Sequence, residues 1–236
     1  TLCVTGSFDN PAGFAACLCA GFPFVGFLLS DSNKYIRYVG GLIGFVIVIA
    51  VILSQSRAGI MSIAFICFIL LNMKFFHKRW VKYLSLLCFA LLLSGCYWMK
   101  KDSADGRLLI WRCSVSMVKD APWLGHGIGS FEARYMDYQA DYFRQYGLNR
   151  YSMLADNVKH PFNEYLGVLL NFGFVGLLMI LALITLLIYC YKKHPCAEKR
   201  IAFYSLISIG VFSFFSYTFT YPFTWIVTFL CIIILT

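Results

Sequence analysis

The chain has 236 residues, of which 60% are hydrophobic, 18% aromatic and only 13% charged, with a mean hydropathy of +0.73; that composition lies outside the range of soluble domains. The net charge of +9 comes from basic residues in short stretches between apolar runs or mixed with acids in one long loop, so it argues for orientation in a membrane and against nucleic acid. Ten cysteines predict neither a disulfide framework nor a metal site, because Cys17, Cys19, Cys67, Cys88, Cys190 and Cys231 fall within or at the edges of apolar runs, where a thiol is a small hydrophobe.

In chain order, uncharged runs of bilayer length occupy Asn10 to Ser30, Tyr38 to Ser56, Ala58 to Met73, Tyr83 to Met99, Tyr165 to Tyr191 and the chain after Arg200. They predict an all-α, polytopic membrane helical bundle of about seven spans with one long, mainly helical loop. Three domains are expected: transmembrane helices 1–4 over residues 1–99, the loop over 100–164, and helices 5–7 over 165–236. The chain starts at Thr1 and its last run, "WIVTFLCIIILT", lacks a polar flank, so an excerpt of a longer protein is expected, with the last span truncated.

Short cytoplasmic loops are enriched in Lys and Arg. "DSNKYIR" (31–37), "KFFHKRWVK" (74–82) and "YKKHPCAEKR" (191–200) are separated by even numbers of predicted spans, so one orientation places all three in the cytoplasm. The same count places the start of the chain, "SQSRAG" (54–59), the long loop and "YTFTYP" near Pro222 on the outer face. Arg57 in "SQSRAG" has two readings. It snorkels to headgroup phosphates, or it faces the protein interior as an anion site, at a cost of a few kcal/mol if buried at mid-depth.

Within the long loop, Asp105-Gly106 signals a turn, followed by a helix whose apolar side is Leu109, Trp111, Val115, Met117 and Val118, ended by Pro122. Gly125, Gly127 and Gly129 read as a tight turn, since no strand precedes them to make a nucleotide fingerprint. Tyr135, Tyr138, Tyr142 and Tyr146 form the stripe of a second helix closed by Gly147, either packing inward or lying on the membrane surface and stacking on sugar rings. Asp102 and Asp105 flank the predicted turn as solvated residues, and no carboxylate cluster demands a metal. His160, Asn163 and Glu164 stand before the fifth run, spaced to share one side of a helix entrance.

The ordered set "SRAG", "GRLLIW", "DAPWLGHGIGSF", "HPFNEYL" and "FGFVGLL", with "TGSFDNPAGFAA" at the start, resembles the O-antigen ligase superfamily of lipopolysaccharide ligases, O-antigen polymerases and protein O-oligosaccharyltransferases. The resemblance implies a multi-pass enzyme of the bacterial inner membrane. It would move a glycan from undecaprenyl diphosphate to an acceptor hydroxyl on the periplasmic face, with lipid A core as the leading acceptor and a growing glycan or a protein as alternatives. It maps the functional arginines onto Arg57 and Arg107 and the histidine onto His160, with Arg112 ranked second for the donor diphosphate. Ser56 and Asn163 support them. Many members have His directly before Asn, where this chain has Phe162, so Glu164 stands as the reserve catalytic residue.

Two guanidinium groups suit a lipid diphosphate, since each binds phosphate oxygens bidentately and opposes the charge that grows on the leaving group. A histidine suits removal of the acceptor proton. The expected chemistry is inverting and uses neither metal nor cofactor. Arg134, Arg144 and Arg150 would meet lipid headgroups or acceptor charges. A transporter or flippase of lipid-linked glycans is the competing class; it would show polar or broken helices in both halves of the membrane, whereas the motifs here gather on one face.

Overall fold

The computed structural model describes residues 4–8, 10–74, 79–99 and 101–236, and every regular element among them is helical. In chain order the helices are α1 (Pro11–Gly21), α2 (Val25–Leu29), α3 (Lys34–Leu53), α4 (Arg57–Lys74), α5 (Arg79–Met99), α6 (Lys101–Asp120), α7 (Ser130–Tyr146), α8 (Glu164–Lys193), α9 (Ala197–Phe215) and α10 (Pro222–Leu235). Asp9 of the opening motif, residues 75–78 of the basic segment 74–82, and Lys100 lie outside the described residues.

The all-α membrane architecture agrees with the hydropathy, but the number of spans does not. Among the described residues three segments are long and apolar enough to cross a bilayer, Pro11–Leu29, Lys34–Leu53 and Glu164–Lys193, where about seven were expected. Shorter apolar helical stretches among the described residues are Arg57–Leu70 in α4, Trp80–Leu92 in α5 and Pro222–Leu235 in α10. α9 opens with Ala197-Glu198-Lys199-Arg200, and its serines break the apolar run. α3 turns Leu42, Phe45, Val46 and Ile52 outward, a surface suited to lipid.

The chain divides into two compact units, Thr1–Ser94 with Leu186–Thr236, and Gly95–Thr185. In the first, α1 buries a face of small residues, Gly13, Ala15, Ala16, Cys19 and Ala20, against α4 and α9. Ser205 Oγ donates to the Ala20 carbonyl at 2.6 Å and Ser208 Oγ to the Cys19 carbonyl at 2.7 Å, while Ser62 Oγ donates to the Ser208 carbonyl at 2.8 Å. Small side chains and shared hydroxyls are how helices associate where lipid removes the hydrophobic driving force.

The loops of this unit sort to its two ends. At one, the Val4 amide donates to the Leu53 carbonyl, Asn10 Nδ2 donates to Tyr217 Oη at 2.6 Å, and Phe8 packs edge-on to Tyr221 and Phe223. The opening motif, the end of α3 and the turn between α9 and α10 therefore meet. At the other, Lys199 Nζ reaches the Leu235 carbonyl, and one cavity is lined by Ser30, Gly40, Ala197 and Arg200.

In the second unit α6 packs on α7. Leu109, Cys113 and Met117, four residues apart, bury one face of α6 against Phe131 and Tyr135, with Tyr151 and Leu170 completing the core. The expected turn at Asp105-Gly106 is absent, and α6 runs through it. Asp105 is 5% exposed rather than solvated and accepts from Tyr97 Oη at 3.1 Å; the buried face outweighs the ~1 kcal/mol that a mid-helix glycine costs. Val115, expected on the apolar side, is exposed, because the buried face follows the four-residue spacing. Of the tyrosine stripe, Tyr135 is buried, Tyr138 and Tyr142 pack on the core, and Tyr146 is exposed. Gly147 closes α7 at φ 67.

α8 is broken at Gly173, whose φ of 63 and ψ of −159 are not helical. The segment 121–127 fills the break. His126 and Gly127 amides donate to the Leu170 and Asn171 carbonyls at 2.7 and 3.1 Å, and Phe174 and Val175 amides donate to the Pro122 and Trp123 carbonyls at 2.8 and 3.2 Å. Backbone groups released by a helix break are expensive unless paired, and here the loop pairs them. Beyond the break, residues 174–193 give about 30 Å of helix, enough to span a bilayer. Gly125, Gly127 and Gly129 have φ of 69, 90 and 79, the tight turn their spacing predicts.

Candidate active site

The "SRAG" motif of the first unit can be taken residue by residue. α3 ends in a turn with Gln55 at φ 52, a conformation non-glycine residues seldom adopt. Ser54 Oγ donates to the Val51 carbonyl at 2.7 Å and accepts from the Ser56 amide at 3.3 Å, and Ser56 Oγ accepts from the Gly59 amide at 3.3 Å. Ser56 thereby caps α4. Ala58 is buried. A Cβ on Gly59 would stand 2.9 Å from Val51 Cγ1 and 3.0 Å from Ala15 Cβ, so glycine lets α1, α3 and α4 approach. Capping and close packing thus account for Ser56, Ala58 and Gly59, and the half-buried Arg57 adds a cation at the first position of the helix.

In the second unit, "GRLLIW" and "HPFN" meet. Arg107 and Trp111 lie one helical turn apart on α6, on the same side. Arg107 Cζ sits 5.1 Å from the centroid of the Phe162 ring, within cation–π range. Trp111 Nε1 donates to the Pro161 carbonyl at 3.0 Å. Phe162 has φ 53; a bulky side chain in that region costs about 1–3 kcal/mol and persists only where its surroundings impose it. Arg107, Trp111 and the cap of α8 do so here. Asn163, 7% exposed, is that cap, its Oδ1 accepting from the Leu166 amide at 3.0 Å.

A cavity of about 270 Å3 opens at this junction, lined by Asp102, Ser103, Gly106, Arg107, Ile110, Leu154, Asp156, Val158 and Phe162. It is just below the ~300–1,000 Å3 of drug-sized sites, a volume for one sugar or a phosphate group. Arg107 is its cation, half-buried, while Asp102 and Asp156 are exposed at its rim.

His160, Asn163 and Glu164 do not share a helix face, as their spacing suggested. α8 begins at Glu164, and the left-handed Phe162 turns the chain between His160 and the cap. Phe162 lies against Arg107, and His160, two residues earlier, is half-buried where the charges of Glu132 and Lys159 act on it. Those two form a 3.8 Å ion pair. Burial pushes the imidazole below its ordinary pKa, with Glu132 raising it in part and Lys159 lowering it. A neutral imidazole is the form able to accept a proton.

Arg112 is held apart from the Arg107 cavity. Its Nη1 donates to Tyr142 Oη at 3.3 Å, and its Cζ lies 5.1 Å from the Tyr151 ring centroid. Five residues separate it from Arg107, which turns it about 140° around the helix. Sequence reasoning read Asp102 as a solvated residue, which its exposure bears out, and Trp111 as apolar packing, and did not single out Asp156. Asp102, Ser103, Gly106, Arg107 and Ile110 follow the 3–4 spacing of a single helix face, a signal the false turn at Asp105-Gly106 concealed. His126 is structural: Arg134 Nη1 donates to its Nδ1 at 3.0 Å, so Nε2 carries the proton given to the Met117 carbonyl at 2.8 Å. Among the described residues no group of three His, Cys, Asp or Glu side chains could hold a metal ion.

Residues 42–181, more than half of the chain, match the family model described as O-antigen ligase. No curated protein matches the sequence. The match runs from within α3 to within α8 and takes in Arg57, Arg107, the segment that fills the α8 break, and His160 to Glu164.

Proposed function

The chain belongs to the O-antigen ligase family, whose work is glycan transfer at the membrane, and from that premise we propose that it moves a glycan from undecaprenyl diphosphate to an acceptor hydroxyl on the periplasmic face of a bacterial inner membrane. Lipid A core is the acceptor that the ligase reading assigns. The observation that carries the reading is the cavity in which Arg107, braced by Phe162, meets the turn that precedes α8.

In the proposed reaction the Arg107 guanidinium binds diphosphate oxygens of the donor at the sugar C1–O bond. The acceptor oxygen forms a bond to C1 as the C1–O bond to the diphosphate breaks, inverting the anomeric centre. The leaving diphosphate takes the electron pair, and the acceptor proton passes to His160, with Glu164 as the reserve for that role. Negative charge grows on the leaving group during this step, so a fixed guanidinium stabilises the transition state more than the bound donor. Phe162 holds the guanidinium without neutralising it. Asp102 and Asp156 at the rim suit sugar hydroxyls as hydrogen-bond acceptors. By its motif alone Arg57 is proposed as a further phosphate-binding residue, with Ser56 and Asn163 as the caps that set the ends of α4 and α8.

The test is transfer by the purified full-length protein from a defined undecaprenyl diphosphate glycan, with lipid A core, a free glycan and a peptide offered separately. Transfer to lipid A core supports the ligase reading. Product only on the glycan or the peptide replaces the acceptor while keeping the donor chemistry, and no transfer to any acceptor overturns the proposal. Arg57→Ala is expected to abolish transfer with the protein still folded.

A further inference from the structure

The Arg112 side chain is one half of a pair. Arg150 Cζ lies 4.7 Å from the centroid of the same Tyr151 ring that Arg112 approaches to 5.1 Å, so the two guanidinium carbons stand within about 10 Å of each other. Arg150 Nη2 donates to Tyr151 Oη at 2.6 Å, and Arg112 Nη1 to Tyr142 Oη. Tyr151 itself is buried at 3% exposure, whereas both arginines are exposed. Tyrosines therefore fix two cations in place from beneath.

Among the described residues neither cation is in an ion pair with a carboxylate. The ion pairs among the described residues join Arg144 to Asp141 and Lys159 to Glu132. Asp105, the carboxylate whose charge acts on Arg150, is buried and occupied by the Tyr97 hydroxyl. The hydrogen bond to Tyr142 holds the Arg112 guanidinium above its ordinary pKa, while the Arg150 charge works in the opposite direction. Two like charges within about 10 Å of each other and outside the ion pairs of the described residues suit an anion that takes both, and paired guanidinium forks suit phosphate. Beside them Tyr142 lies with its ring centroid 4.9 Å from that of Tyr146, tilted by 38°, and Tyr146 is 61% exposed, an open aromatic face of the kind a sugar ring covers.

We propose that Arg112, Arg150 and the Tyr142–Tyr146 face form a phosphosugar subsite, in which the arginines take a phosphate ester and the tyrosines its sugar ring. Its assignment to the acceptor rests on the transfer reading above; the binding itself does not. The site is separate from the Arg107 cavity, and its ligand is a phosphorylated sugar of the acceptor rather than the donor diphosphate.

Two measurements separate the proposal from the reading it rests on. In the first, the full-length protein in phosphatidylcholine nanodiscs is titrated with glucose 6-phosphate and with glucose. Glucose 6-phosphate should bind, and Arg112→Ala and Arg150→Ala should each weaken it at least tenfold, with glucose weak throughout and Arg144→Ala, which breaks an exposed ion pair, unchanged. Tyr142→Phe keeps the packing, removes the hydroxyl that holds Arg112, and should weaken binding by a smaller factor. Equal binding by wild type and both arginine variants overturns the site. So does loss of glucose 6-phosphate binding in phosphatidylglycerol nanodiscs, which would make a lipid headgroup the occupant.

In the second, transfer to phosphorylated and phosphatase-treated acceptor is compared. Arg112→Ala should raise KM for the phosphorylated acceptor about tenfold, with kcat and the donor KM held, and leave the treated acceptor unaffected. A raised donor KM would move Arg112 to the diphosphate and overturn the acceptor assignment even where glucose 6-phosphate binds.

Discussion

Burial lowers the His160 pKa, and the neighbouring Glu132 and Lys159 charges pull it in opposite directions. A protonated imidazole cannot accept the acceptor proton, so turnover should fall as pH drops through the His160 pKa. The acid limb of the kcat profile is expected below about 6.5, the unperturbed value. Glu132→Gln removes the charge that raises the pKa and should move the limb to still lower pH; a limb at or above 6.5 in wild type, or a shift upward in the variant, contradicts the assignment. Asn163 offers a different check. Its side chain caps α8, so Asn163→Ala should cost about 0.5–2 kcal/mol, read from thermal unfolding of the purified protein, whereas an unchanged midpoint would remove the cap from the account.

At the scale of elements, the break in α8 sets the geometry of the turn before it. A Cβ on Gly173 would stand 2.3 Å from the Trp123 carbonyl oxygen, and one on Gly125 would stand 2.6 Å from the Asn171 carbonyl carbon. Both residues also have positive φ. Gly173→Ala and Gly125→Ala should each destabilise by at least about 1–3 kcal/mol from conformation alone, with backbone collision added. Gly127, with open space around its Cβ position, should cost less when changed to alanine, and an equal loss at all three would refute the strap.

Much of this element was legible. Three glycines two apart signalled the turn, Pro122 the end of α6, and Gly147 the end of α7. The partner of the turn was not, because hydrogen bonds between residues 122–127 and 170–175 leave no periodicity in either segment. The contact of Phe162 with Arg107 was hidden for a related reason. Motif spacing marks both segments as important, but the left-handed backbone at Phe162, which brings its ring to the guanidinium, leaves no trace in the spacing.

For the whole molecule, composition predicted a helical membrane protein, and hydropathy predicted about seven spans where three segments among the described residues are long and apolar enough to cross a bilayer. The count of runs between the basic loops nonetheless predicted which described loops gather at each end of the first unit, since an odd or even number of helices between two loops fixes their relative side. The function rests on a smaller scale, on one guanidinium held by an aromatic ring at a cavity mouth. Arg107→Ala, assayed beside wild type for transfer from undecaprenyl diphosphate glycan to lipid A core and for donor binding, tests that claim most directly. Removal of a transition-state contact of this kind is worth roughly 2.7–4 kcal/mol, so kcat should fall about 100- to 1,000-fold in a protein that unfolds at the wild-type temperature. Turnover within a few-fold of wild type would contradict the account.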